Sequence, residues 1–237
     1  MKTFREKIPK AEHDCRLIYE YGKYFLCVPV CCPRQKPEKQ RQTIVALDPG
    51  VRTFQTYFSI HSTGKFAHHD FSRIFRLCYT LDFIISKMAK SRARQRYRLR
   101  KVCDRIRFKI RNLVDEVQHK TALWLCREYQ FIALPTFETS IMVKKLSHKT
   151  SRAMLTWAHF RFKQFLKFKA RELCCNVIDM NESYTSKTYS RCGTIANIGS
   201  KTIFHCKSCG LIMDRDIHGA RNIFLRALVD TPSFSNR

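Results

Sequence analysis

Acids are scarce in this 237-residue chain, 19 Asp and Glu against 45 Lys and Arg, so the places where they sit carry information. Asp48 closes the apolar run Ile44–Leu47, Glu182 closes the run that starts at Asn176, and Asp216 opens an amphipathic stretch ending near Leu228. Hydrolysis of a phosphodiester needs a nucleophilic water and a neutralised leaving oxygen, and two divalent cations roughly 3.5 to 4 Å apart supply both. Mg²⁺ prefers carboxylate and water oxygens, so about three acids from different elements form the expected cradle. For any single one of these acids the competing reading is an N-cap or turn residue.

A second constellation is built from thiols. Cys206 and Cys209 form a CxxC followed by Gly210, and Cys192, followed by Gly193, lies fourteen residues earlier, the spacing of two metal-binding knuckles. The position three before Cys192 is Tyr189, so the first knuckle is incomplete and three thiolates remain as ligands for a structural Zn²⁺. The fourth place is left to His205, to water, or to no metal at all. The other cysteines, such as Cys78, Cys103, Cys126, Cys174 and Cys175, sit in apolar or helical contexts and read as small buried hydrophobes.

The elements that must position these groups follow from periodicity. Cys15–Glu20 and Tyr24–Val30 flank Tyr21-Gly22-Lys23 as a β-hairpin, which alone is marginal and needs a surface to pack on. Pro33–Gln42 reads as a linker. From Thr43 a doubly buried strand runs to Asp48, followed by strands at Thr53–Ile60 and Lys65–His69. Residues 77 to 128 are helical by spacing, Phe131–Leu134 is a short strand closed by Pro135, and a basic aromatic helix spans about Ser151–Leu173. Asn176–Glu182 is the last strand and Asp216–Leu228 the closing helix. The order predicts an α/β fold. Its expected parts are a hairpin and linker at 1–42, a core at 43–183 interrupted by the helical insertion at 77–128, a cysteine module at 184–213, a final core segment at 214–230 and a tail at 231–237.

The net charge of +26 points to a polyanionic partner, and 44% hydrophobic residues with 18 Phe exclude a disordered basic tail. Between Lys87 and Arg111 twelve Lys or Arg meet one acid, Asp104. A solvated helix face mixes signs, so this stretch is read as phosphate-binding through Lys87, Lys90, Arg92, Arg94, Arg96, Arg98, Arg100, Lys101 and Arg105. The polar N-terminus has no apolar signal region and no run approaches the roughly 18 apolar residues of a membrane span, so a reducing compartment, nucleus or cytosol, is expected.

The strings LPTFETSIMVKK, SRAMLTWAHFRFKQFLKFKARE, ESYTSKTYSRCG and FHCKSCGLIMDRDIHGARNIFLRAL, with IVALDPGVRTF at 44 to 54, resemble the Fanzor family, eukaryotic and viral relatives of the TnpB nucleases and more remotely of type V CRISPR effectors. The resemblance runs over about residues 13 to 230. It implies an RNase H-like (RuvC) mixed sheet with an inserted helical hairpin and a zinc-ribbon insertion, preceded by a β-hairpin remnant of a wedge barrel. It also implies RNA-guided, two-Mg²⁺ cutting of DNA, with guide RNA and target DNA as partners. On it Asp48 matches the first RuvC aspartate and Asp216 the last, with Asp214 as a cap. The TnpB pattern places a glutamate where this chain has Pro135, which leaves Glu182, at the end of a neighbouring strand about 4.8 Å away, as first choice and Glu138 in reserve. His218 stands where the family has Asn. Two other readings fit the same residues: a truncated or decayed nucleic-acid-binding protein, and a DNA transposase, whose strand transfer also uses a carboxylate triad.

Overall fold

A computed structural model describes residues 10–37, 39–68, 70–136, 144, 147–180, 188, 190–195 and 202–230. The chain divides into two compact units, one of residues 1–34 with 76–113 and one of residues 35–75 with 114–237. The boundary runs inside two long helices, α1 (Asp70–Ala89) and α2 (Ala93–Glu128).

In the smaller unit β1 (Arg16–Glu20) and β2 (Lys23–Cys27) form an antiparallel hairpin. Tyr21 and Gly22 connect them with φ of 53° and 73°, the pair of positive values that matches the twist of a two-residue hairpin. The ribbon does find a surface: Tyr21 and Phe25 lie 6.3 and 6.1 Å from the Phe108 ring of α2, Lys23 Nζ stands 3.8 Å over it, and Glu20 pairs with Arg111. The helical insertion over 77–128, expected as a helical hairpin, is two helices, with the break near Ser91. Between them the Ser91 hydroxyl donates to Lys87 O at 2.7 Å and Arg96 donates to Ser91 O at 3.0 Å. These local bonds compete with the helical ladder, and the hydrophobic spacing on either side does not register the break.

The larger unit is a five-stranded mixed sheet in the order β5-β4-β3-β6-β7. Its strands are β3 (Gln42–Pro49), β4 (Gln55–Phe58), β5 (Thr63–Phe66), β6 (Tyr129–Pro135) and β7 (Asn176–Met180). β3 pairs antiparallel with β4 and parallel with β6, and β6 parallel with β7. Ile44–Leu47 are buried on both faces, as the unbroken apolar run requires. On one face Ile44, Ala46, Ala133 and Met180 pack against Ile223, Phe224 and Ala227 of the last helix, α5 (Arg215–Asp230). The opposite face is covered by the end of α2, where Trp124 meets Tyr57 at 5.2 Å, and by α4 (His159–Glu172), which buries Phe162, Leu166 and Ala170.

The helix expected over 151–173 is likewise two, α3 (His148–Trp157) and α4, separated at Ala158 in the left-handed conformation, φ 50°. Alanine favours helix, so the break has a tertiary cause. Trp157 Nε1 donates to Val51 O at 3.0 Å, His159 Nε2 to Gly50 O at 3.2 Å, and Gln118 Nε2 to Trp157 O at 2.7 Å, while Phe54 packs on Trp157, His159 and Phe162. These contacts anchor the corner to the turn after β3. Two short strands, β8 (Ile203–His205) and β9 (Ile212–Asp214), pair antiparallel before α5. Among the described residues no helix is long and apolar enough to cross a membrane.

Candidate acid site and cysteine module

Asp48 stands two residues beyond Ala46, so by strand alternation it shares the face that α5 covers. Across the sheet it is in register with Thr56 of β4, and Thr56 with Lys65 of β5, one row of three side chains on that face. α5 begins where β9 ends. Asp214 Oδ1 accepts the backbone N–H groups of Asp216 and Ile217 at 3.0 and 3.2 Å, so Asp214 is the cap of the helix. Lys65 Nζ donates to Asp214 Oδ2 at 2.8 Å and stands 3.4 Å from Asp216 Oδ2. Burial pushes the Asp214 carboxyl up, but the Lys65 hydrogen bond and the helix-start N–H groups outweigh it and hold the group below the usual carboxylate range.

One turn past Asp216, Gly219 faces Asp48. A Cβ at this position would fall inside the Asp48 Oδ2 atom's contact shell and 3.3 Å from its Cγ. Asp48 therefore meets the second turn of α5, and the row from β5 brings Lys65 to the start of the same helix. Pro135 and Met180 share this face at the ends of β6 and β7, in register with each other. Glu182 and Glu138 lie outside the described residues, as does Tyr189. Sequence reading missed Lys65 and Gly219. A lysine in a short return strand and a glycine in a helix carry no signal until the sheet register and the helix packing are known.

At the carboxyl ends of β3 and β6 a cavity of about 190 Å³ is lined by Pro49, Gln55, Pro135, His159 and Phe160 among others. His159 is buried, and loss of hydration pushes its pKa down to about 4 against the raising effect of its bond to Gly50. The neutral ring donates from Nε2 to Gly50 and accepts at Nδ1 from Gln55 Nε2, 3.4 Å away. An unfolded histidine titrates near 6.5, so the unfolded state takes up the proton first. Stability is complete above about 6.5 and is lost as pH falls towards 4, by at most about 3 kcal/mol from this group. We expect the urea midpoint to fall between pH 7.5 and pH 5, and the fall to shrink in His159→Gln; an identical pH dependence in the variant would contradict the assignment.

The thiols of Cys192, Cys206 and Cys209 all lie within 4.8 Å of one another, with Cys192 Sγ 3.7 Å from Cys206 Sγ. The CxxC turn is shaped for this: Cys209 N–H points at Cys206 Sγ at 3.4 Å, Gly210 N–H closes on Cys206 O at 2.9 Å, and Gly210 takes φ 70°. The Cys192 thiol is drawn down to about 7, first by its hydrogen bond to the Thr194 hydroxyl. Such a group suits a metal ion. His205 is not part of it among the described residues. α5 carries the module's first knuckle: Ser190 N–H donates to His218 Nε2 at 3.3 Å, and Asn222 Nδ2 to Thr188 O at 2.7 Å.

In the smaller unit Lys87, Lys90, Arg92, Arg94, Arg96, Arg98, Arg100, Lys101 and Arg105 are all exposed. The acids seen paired there take other partners, Asp104 with Arg107 and Glu20 with Arg111. Lys87 and Lys101 lie over Phe83 and Tyr97.

Comparison with known proteins gives consistent relatives. Residues 159–223 match the family described as the Cas12f1-like TNB domain. The A625R protein of Paramecium bursaria Chlorella virus 1, which bears the name of a transposase, is 33% identical over 92% of this chain and 51% of its own length. The TnpB-like protein L79 of Acanthamoeba polyphaga mimivirus is 28% identical over 85% of this chain and 40% of its own. The Cas12f1 endodeoxyribonuclease of Sulfoacidibacillus thermotolerans is 29% identical over 52% and 29%. The chain thus spans about half the length of the viral relatives. Among solved structures, a Cas12f1–sgRNA–target DNA complex superposes with a TM-score of 0.56, covering 87% of this chain and 54% of the other at 16% identity, a likeness of fold.

Proposed function

For this chain, a TnpB-family protein related to the type V CRISPR effectors, we propose the activity of a metal-dependent, RNA-guided DNA endonuclease of RuvC type. The observation that carries the proposal is the seating of Asp48 against Gly219, one helical turn from Asp216, at the carboxyl end of a doubly buried strand. Asp48 and Asp216 are oxygen donors of the kind Mg²⁺ takes, and the glycine leaves the room beside Asp48 that any side chain would fill. Glu182 is the third acid of this reading. It follows Met180 by two residues, and Met180 ends the strand beside Pro135, which has no carboxylate to offer. Glu138 is the reserve. Two Mg²⁺ at such a site would supply the nucleophilic water and neutralise the leaving oxygen. The chain's own part is to hold the acids on rigid elements, with β3 and α5 locked by Ala46, Ile223 and Phe224.

Zn²⁺ is the ion proposed for the thiols. With Zn–S bonds of about 2.3 Å a tetrahedral site spaces its sulfurs by about 3.8 Å, and the Cys192–Cys206 separation of 3.7 Å fits. Lys87, Lys90, Arg92, Arg94, Arg96, Arg98, Arg100, Lys101 and Arg105 are assigned to guide-RNA phosphates, because an exposed face of one sign gains by counterion release.

The test is to purify the full chain, extract and sequence the RNA that accompanies it, and assay DNA complementary to that RNA. Cleavage in Mg²⁺ that EDTA abolishes is the expected result. Bound RNA without cleavage would favour the binding-protein reading, and strand-transfer products the transposase reading.

A further inference from the structure

Metal binding at the acid site does not require the ammonium of Lys65. This lysine belongs to the edge strand β5, is 19% exposed, and lies in the row Asp48–Thr56–Lys65. Its two carboxylate contacts are unequal. At 2.8 Å from Asp214 Oδ2 it makes a full charge-assisted hydrogen bond, and Asp214 is fixed in turn because its other oxygen caps α5. At 3.4 Å from Asp216 Oδ2 the contact is longer and more exposed, so this is the one that opens. A lysine is a compact charge on a flexible stem with three donors, able to keep one partner while exchanging another.

We propose that Lys65 is a positioning residue that stands on Asp216 in place of a divalent cation and turns to a phosphate of the bound nucleic acid when one arrives, releasing Asp216 for the metal. This deepens the function proposed above and rests on the acid site holding divalent cations. A positive charge this close opposes a second cation, so the free protein binds the metal weakly. A bound phosphodiester supplies an alternative anionic partner for the ammonium as Asp216 turns to the metal, and metal affinity rises only with substrate in place. The lysine thus couples metal loading to occupancy by nucleic acid.

The experiment measures Mn²⁺ binding to the full chain by the loss of the free-ion EPR signal, with and without a cleavage-resistant phosphorothioate oligodeoxynucleotide whose own uptake is subtracted. Without DNA, Lys65→Met binds Mn²⁺ about tenfold tighter than the parent, while Lys65→Arg, which keeps the charge, stays close to it. The oligonucleotide tightens Mn²⁺ on the parent and leaves Lys65→Met unchanged. A purely structural bridge would act in the other direction: unchanged or weaker binding in Lys65→Met, with or without a lowered melting temperature, overturns the proposal. Asp48→Asn and Asp216→Asn separate the two layers. If they bind Mn²⁺ as the parent does, the acid site is not a metal site, and the nuclease reading fails together with the role given to Lys65.

Discussion

Asp48→Asn and Asp216→Asn each lower Mg²⁺-dependent DNA cleavage by about 10³-fold or more and leave RNA binding within about twofold of the parent. Each change removes one charged oxygen donor from a site where the metals carry several kcal/mol of transition-state stabilisation, and each kcal/mol counts because about 1.4 is a factor of ten. The folded chain tolerates the changes because neither acid closes the helix that carries Asp216. That task falls to Asp214, whose carboxylate caps α5 and binds Lys65. Asp214→Ala, which removes both the cap and the Lys65 partner, is accordingly the structural control, expected to lower melting temperature more than either. The cations assigned above to guide RNA lie elsewhere, on α1, α2 and the link between them. Cleavage rates within tenfold of the parent for both site variants, measured with the same copurified RNA, would remove Asp48 and Asp216 from the chemistry.

Gly219→Ala reduces cleavage by about 10²-fold with little change in melting temperature, against the expectation from helix propensity alone. An alanine inside a helix is worth about 1 kcal/mol over glycine, so a free helix would gain stability. Here the new methyl meets the Asp48 carboxylate, and α5 cannot retreat because Ala220, Ile223, Phe224 and Ala227 are buried. The Asp48 side chain is the softer partner and swings from its seat. A displacement of about 1 Å at a reacting centre is enough for a 10²-fold loss. The propensity gain and the strain roughly cancel in stability, so the readout is the split between an almost unmoved thermal melt and a lost rate. A Gly219→Ala chain that cleaves like the parent would show that Asp48 needs no such close seat.

Strings of residues alone made much of this legible. The apolar run before Asp48, the amphipathic stretch after Asp216 and the CxxC turn each have a local cause, and they appear in the structure as a doubly buried strand, a capped helix and a cluster of thiols. Where the two helix breaks fall was not legible. Ala158 is left-handed because Trp157 and His159 are bound to the turn at Gly50 and Val51, about a hundred residues earlier, and no window around residue 158 contains that information. The break at Ser91 came from side-chain bonds that compete with a ladder the periodicity supports.

The chemistry proposed for this chain followed from residue types and short spacings: scarce carboxylates at element ends, three cysteines at knuckle distance, and a run of twelve cations with one acid. Those are local properties, since charge, ligand softness and periodic burial belong to each residue and its near neighbours. What surrounds the acids was decided only in three dimensions. Sheet register sets Lys65 in a row with Asp48, 17 positions away in the chain, and helix packing presses Gly219 on Asp48 from 171 positions away. Contacts of that range exist only once burial of the sheet's two faces has chosen a single arrangement, because one residue of slip would turn Lys65 to the opposite face.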